Sequence, residues 1–210
     1  MRRILSAIFL LASTCLFAQE GHHGPRVGLG LATQSVGGLF QNTNDLLAAP
    51  LFGWHFEAPL HPQVSLMPEV LWITKGSVVR NPAQSTRSKT TLRYLEVPLL
   101  IKVSTDKAAD GLYLLAGPSM GYLLSSRYRN WLNGDLVIDS PYELQNSSRR
   151  FQFNGVVGMG MEGPRMAFDI RAQTSLTPFE RLPRIQNVVY ALTVAYRLGG
   201  SKPEPPAEEE

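Results

Sequence analysis

The chain has 210 residues, 20 Lys and Arg against 17 Asp and Glu, a formal net charge of +3, and one cysteine. That length fits a single domain, and the lone cysteine excludes a disulfide scaffold and a thiolate metal site. The near-balanced charge, with no Lys/Arg-rich run and no basic stripe interleaved with aromatics, argues against nucleic-acid binding.

The N-terminus has the layout of a secretory signal. Arg2 and Arg3 form a positive start, Ile4 to Ala12 an apolar stretch too short to span a bilayer, and Ala18 a small residue at the expected cleavage point. Residues 1–19 are therefore predicted to be a signal peptide cleaved after Ala18 or Gln19, and 20–25 a flexible N-terminus. Cys15 falls within the signal, so the exported chain is expected to carry no thiol. Beyond residue 20 no stretch is long and apolar enough for a membrane helix.

From Arg26 onward the hydrophobic pattern has a period of two, which marks β-strands with one apolar and one polar face. Eight such stretches follow one another. The first, Arg26 to Val36, sets Val27, Leu29 and Leu31 against Arg26, Gly28 and Gly30. After a polar link (residues 37–49), the second sets Phe52, Trp54, Phe56 and Leu60 against Gly53, His55 and Glu57, and His61-Pro62-Gln63 turns the chain. The third, Val64 to Thr74, opposes Leu66, Val70 and Trp72 to Ser65, Met67 and Glu69. Residues 76–89 read as a hydrophilic loop.

The fourth strand, Thr90 to Val103, is the clearest: Leu95, Val97, Leu99, Ile101 and Val103 share one face, and Tyr94, Glu96, Pro98 and Lys102 the other. A short polar turn, residues 104–110, leads to the fifth strand, Gly111 to about Arg127, with Leu112, Leu114, Met120, Tyr122 and Leu124 opposite Gly117, Ser119 and Gly121. Residues 128–148, with Asn133-Gly134-Asp135, read as the longest loop. The sixth strand, Arg150 to Glu162, and the seventh, Arg165 to Thr174, meet at Gly163-Pro164. After a loop over 175–186, the eighth opposes Val188, Tyr190, Leu192, Val194 and Tyr196 to Ala191, Thr193, Ala195 and Arg197.

Links after strands one, three, five and seven are long, and those after two, four and six are short. Lipid tolerates strands only in a closed barrel, and such barrels have short periplasmic turns and long external loops. The predicted fold is an all-β, eight-stranded antiparallel up-and-down transmembrane β-barrel over residues 26–199, with long extracellular loops and short periplasmic turns. Residues 200–210, proline-bearing and ending in three glutamates, are expected to be a disordered acidic periplasmic tail.

The polar faces place Glu57, Glu69, Glu96, Lys102, Asp169, Arg171 and Arg197 in a narrow lumen, with Arg93 or Lys75 near its rim. An eight-stranded interior is just wide enough to be filled by side chains, and ions enclosed there must pair. These seven residues are expected to form a structural charge network rather than a conducting path. His55 and Glu57 with Ser119 or Ser65 would be the raw material of a hydrolase triad, although on inward-facing positions. His22-His23 lacks a third ligand at metal spacing, and Gly28-Leu29-Gly30 lacks the third glycine and helix of a nucleotide fingerprint. No catalytic, cofactor or metal residue is assigned.

Three segments resemble a known family. Tyr94-Leu95-Glu96-Val97-Pro98-Leu99-Leu100-Ile101-Lys102 is similar to the Y-x-E-[IV]-P-L-L-x-K strand of the outer-membrane β-barrel domain of porin-family, PorT-like proteins of Gram-negative bacteria. Leu115 to Leu124 is similar to its G-P-x-x-G-Y-L strand, and Val189 to Leu198 to its closing strand. The resemblance implies an eight-stranded barrel in the outer membrane of a Gram-negative bacterium and no shared reaction, some members serving in protein secretion. Expected partners are outer-membrane lipid, the barrel-assembly machinery during insertion, and periplasmic or secretion-complex proteins. Competing readings are a soluble lipocalin-like barrel, which inverts the two faces, and an envelope lipid-modifying enzyme.

Overall fold

The computed structural model describes residues 21–36, 39–40, 44–105, 111–141, 150–178, 180–181 and 184–199. The signal peptide, the acidic tail and most of the 104–110 turn lie outside the described residues. Among the described residues, eight long strands follow the chain: β1 (His22–Val36), β2 (Leu47–His61), β3 (Val64–Asn81), β4 (Thr86–Ser104), β5 (Gly111–Leu132), β6 (Phe151–Glu162), β7 (Met166–Ser175) and β8 (Arg184–Tyr196). Each pairs antiparallel with the next. β1 also pairs with β8, from Arg26↔Ala195 to Val36↔Ile185, which closes the sheet into an up-and-down barrel without a free edge.

Alternation decides what faces where. Along β4, Leu95, Val97, Leu99 and Ile101 are exposed on the outside while Tyr94, Glu96, Leu100 and Lys102 are buried within. The same phase repeats around the ring: Val27, Leu29, Phe52, Leu114, Phe153, Met159, Ile170 and Leu192 are large, apolar and exposed. An exposed apolar wall around a core of ions is the inverse of a soluble barrel, and it rules out the lipocalin-like arrangement.

Several boundaries differ from the sequence expectation. β1 begins at His22, so 22–25 of the expected flexible N-terminus are strand: the backbones of His23 and Leu198 hydrogen-bond each other in both directions, and His22 Nδ1 lies 3.0 Å from the carbonyl oxygen of Gly199. The expected loop over 76–89 is instead a hairpin. β3 and β4 stay in register from Lys75↔Leu92 to Asn81↔Thr86 and turn through the 3-10 segment Pro82–Gln84, with Ser85 at φ 49°. Thr, Ser and Arg are frequent in this hairpin, so its sequence has the polarity of a loop, although Ser77 and Val78 at its base are buried.

The expected long loop after β5 is likewise built. β5 continues to Leu132, turns at Asn133-Gly134 with φ values of 52° and 95°, and returns as an arm, Asp135–Pro141, paired to β5. Two consecutive positive φ angles match the type I′ turn that Asn-Gly favours. Residues 142–149 of that loop lie outside the described residues. β3, β4 and β5 have 18, 19 and 22 residues against 12 and 10 for β6 and β7. A tilted strand needs only about 9–11 residues to cross a membrane, so three neighbouring strands rise well past the apolar wall at the long-link end.

Candidate functional site: an ion-paired lumen

The barrel interior gathers ten buried charged side chains from six of the eight strands and from Arg197 just beyond β8: Arg26, Lys75, Lys102, Arg171 and Arg197 as cations, Glu57, Glu69, Glu96, Glu162 and Asp169 as anions. Five charges meet five, and each cation touches at least one carboxylate. Burial of an unpaired ion costs several kcal/mol, so this balance is a condition for the barrel to exist.

The ions form three connected groups. In the middle, the Arg171 guanidinium donates to both Glu69 oxygens at 2.6 and 2.9 Å and through Nε to Asp169 Oδ1 at 2.6 Å. Arg26 reaches Asp169 Oδ2 at 2.5 Å and Thr193 Oγ1 at 2.6 Å. Its Nε lies 3.1 Å from Glu69 Oε1, an ion-pair contact without hydrogen-bond alignment. Tyr113 and Thr193 donate to Asp169 at 2.9 and 2.7 Å, so the carboxylate is saturated.

Toward the short-turn end, Lys102 bridges Glu57 and Glu162, and Arg197 bridges the same two carboxylates, while Ser104 Oγ donates to Glu162 at 2.7 Å. Toward the long-link end, Lys75 sits 2.5 Å from Glu96 and donates to Gln152 and Asn154 at 2.9 and 3.0 Å. Gln173 donates to both oxygens of Glu96 at 3.0 and 2.8 Å. Above that lie hydrogen bonds from Ser77 to Gln34 and from Gln34 to Asn187.

Apolar packing fills what remains. Leu47, Leu51, Leu71, Ile73, Leu92, Tyr94 and Leu123 belong to one buried cluster; Met67, Leu100, Tyr113, Leu115 and Val156 belong to another. Along β3, Glu69 falls between Met67 of one and Leu71 of the other, so the middle ion group is sandwiched between greasy layers. Glycines make the room. A Cβ on Gly160 would lie 2.6 Å from the Tyr113 hydroxyl oxygen, and one on Gly121 3.0 Å from Glu96 Oε1.

All seven residues singled out from the sequence lie in this interior: Glu57, Glu69, Glu96, Lys102, Asp169, Arg171 and Arg197. The structure adds Arg26 and Glu162, which share the inward phase of Gly28 and Gly160, and it places Lys75 deep within rather than at the rim. Arg93 is a correction. It points outward and is exposed, because its neighbours Leu92 and Tyr94 take the inward phase.

The catalytic raw material is not assembled. Ser119 Oγ donates to Glu96 at 3.4 Å, His55 Nδ1 has no hydrogen-bond partner, and among the described residues neither Ser65 nor Ser119 hydrogen-bonds His55. A triad needs those contacts. His23 stacks against Trp54 at 5.9 Å, and no group of three potential metal ligands occurs among the described residues.

Residues 17–181 match the family model described as outer membrane protein beta-barrel domain. Among solved structures, the chain is similar to Neisserial surface protein A (NspA), with a TM-score of 0.53 and 9% identity over 84% of this chain and 97% of that one. It is also similar to Ail, the attachment invasion locus protein of Yersinia pestis crystallised with the heparin analogue sucrose octasulfate. That likeness has a TM-score of 0.49 and 10% identity, over 86% of this chain and 100% of that one. No curated protein matches the sequence.

Proposed function

This chain belongs to the outer membrane protein β-barrel domain family, and on that premise we propose that it is a sealed, non-enzymatic barrel of the outer membrane. It is exported by residues 1–19, inserted by the barrel-assembly machinery, and works as a structural and interaction protein through its long-link end and its C-terminal tail. The long links face outward from the cell and the short turns face the periplasm, as is usual for such barrels.

The observation that carries this reading is the lumen: ten buried charges paired five to five and packed between apolar clusters. A channel keeps its charged groups wet and its axis open, whereas here the ions satisfy one another. The interaction role draws on the hairpin at the long-link end, where Leu132, Leu136, Val137 and Ile138 are exposed beyond the membrane-spanning part of β5. Apolar residues gathered on a solvent-facing arm favour a protein partner. Membership of a protein-secretion complex, the second reading, rests on the PorT-like motif resemblance together with this arm.

The test is planar-bilayer conductance of the full chain after its heat-modifiable gel shift has verified folding. The expected result is no discrete channel opening; steady unitary conductance would sink the sealed-barrel reading. Cross-linking from Ile138 and from the tail in intact cells identifies partners, and capture of a periplasmic secretion assembly through the tail would favour the second reading.

A further inference from the structure

Register continues the wall upward into a ladder of cations. Trp72, Leu95, Tyr122 and Phe151 stand side by side on β3 to β6 and form an outward row of the apolar wall, extended by Phe52, whose ring stacks on Trp72 at 6.0 Å. Tyr122 and Phe151 contact edge to face at 5.1 Å. Trp and Tyr rows of this kind mark the lipid headgroup level. The next outward row on the same strands is Thr74, Arg93 and Ser125; above it Thr91 stands beside Arg127, Lys89 beside Arg129, and Arg87 between Arg80 and Trp131, while Gly76 and Val78 of β3 are buried. Rows of one face are about 7 Å apart along a strand, so the cations begin one step above the aromatic row and climb from there.

Few carboxylates answer them. Asp139 takes Arg127 at 2.5 and 2.8 Å and lies 3.4 Å from Arg129, and Asp45 takes Arg80 at 2.5 Å. Among the described residues no carboxylate pairs with Arg87, Lys89 or Arg93; the Arg87 guanidinium lies over the Trp131 ring at 5.5 Å. Six cations against Asp45, Asp135 and Asp139 leave three positive charges in excess on this side of the barrel among the described residues. At the opposite end the outward positions of β4 and β5 are Ile101, Val103, Leu112 and Leu114. On these two strands the excess therefore sits at the long-link end.

We propose that this ladder binds the phosphorylated headgroup of an outer-leaflet glycolipid, whose acyl chains lie along Leu95, Val97 and Tyr122 below. A guanidinium matches a phosphate with two parallel hydrogen bonds, an ammonium adds a point charge, and cations at a membrane surface attract anionic lipid additively. Exposed arginines immediately above an aromatic row meet lipid phosphates without leaving the strands that hold them. Arg93 is the lowest rung and the anchor, and Lys89 and Arg87 serve phosphates farther out. The inference rests on the proposed orientation, with the long links on the outer-leaflet side.

The experiment uses the purified, folded full chain in neutral detergent and native mass spectrometry. The probes are bis-phosphorylated lipid A, the same lipid stripped of both phosphates, and inorganic phosphate as competitor. The expected result is retention of lipid A by the folded barrel, at least tenfold weaker retention of the stripped lipid, and no displacement by millimolar inorganic phosphate. Combined Arg87→Gln, Lys89→Gln and Arg93→Gln should weaken lipid A binding roughly tenfold or more while leaving the heat-modifiable fold intact. Equal binding of the stripped lipid overturns the proposal from the unsubstituted protein alone, as does complete displacement by phosphate, which would mark a free-anion site. A chain that shows no heat-modifiable fold would instead overturn the barrel reading itself.

Discussion

The same chemical pair, an arginine with a carboxylate, is used in two places with opposite consequences. Inside the barrel, Arg171 holds Glu69 and Asp169 with all three side chains nearly or fully buried. On the arm, Arg127 holds Asp139 with comparable distances, but the arginine side chain is 56% exposed. Water competes for the second pair and is shut out from the first. The lumen ions are therefore a constraint on folding, and the rim ions a removable ornament of the surface.

The largest effect is expected from breaking the inner pair. Arg171→Met leaves Glu69 and Asp169 facing each other with only Arg26 between them, and should cost about 3–5 kcal/mol. Urea unfolding of the barrel in phospholipid vesicles measures it, and a loss below 1 kcal/mol would mean that water already reaches the lumen. Next comes Gly160→Val, whose Cβ would collide with the backbone carbonyl oxygen of Phe168 and with the Tyr113 ring. Overpacking of this kind costs about 1–3 kcal/mol, read in the same titration, and an unchanged midpoint would show that both the β7 backbone and Tyr113 give way.

A smaller and local effect is expected in the arm. Gly134→Val forces a β-branched residue to φ 95° at the turn and should cost about 1–3 kcal/mol of turn stability. Hydrogen exchange should quicken between residues 128 and 141 while β1, β7 and β8 stay protected; a global change would contradict the arm's independence. Smallest of all is Arg127→Ala, for which no shift of the unfolding midpoint is expected in physiological salt.

Acidification sharpens the contrast at the same exposed pair. The hydrogen bond from Arg127 holds Asp139 below the ordinary carboxylate range, so whatever the pair contributes is present at neutral pH. It is lost only as pH falls through that lowered value. Hydrogen exchange of the arm across an acid titration should show this, and arm opening at or above the ordinary carboxylate range would be inconsistent with the pairing.

The wall was legible from period-two alternation, because a strand with lipid on one side and ions on the other cannot blur its two faces. The lumen set was legible in part. Glu57, Glu69, Glu96 and Asp169 against Lys102, Arg171 and Arg197 are four acids and three bases, an imbalance no closed apolar interior sustains. Adding Arg26, Lys75 and Glu162, all in the inward phase, restores neutrality, so the demand for balance was the unused signal. The hairpins above the membrane were hidden for the opposite reason. Ser77 to Lys89 and Arg127 to Pro141 carry polar residues on both faces and have little apolar periodicity. Asn133-Gly134 was the one local mark of strand return. Arg93 faces outward because Leu92 and Tyr94 on either side of it take the inward phase, which its nearness to the rim does not change.

The most direct measurement is spin-label accessibility along β4 in vesicles, with single cysteines at Val97, Leu99 and Ile101 and at Lys89 above them. Labels at the three lower positions should collide with oxygen and ignore a water-soluble nickel chelate, and the label at Lys89 should do the reverse. Strong nickel collisions at Val97, Leu99 and Ile101 would place water where lipid belongs and contradict the barrel's inside-out partition.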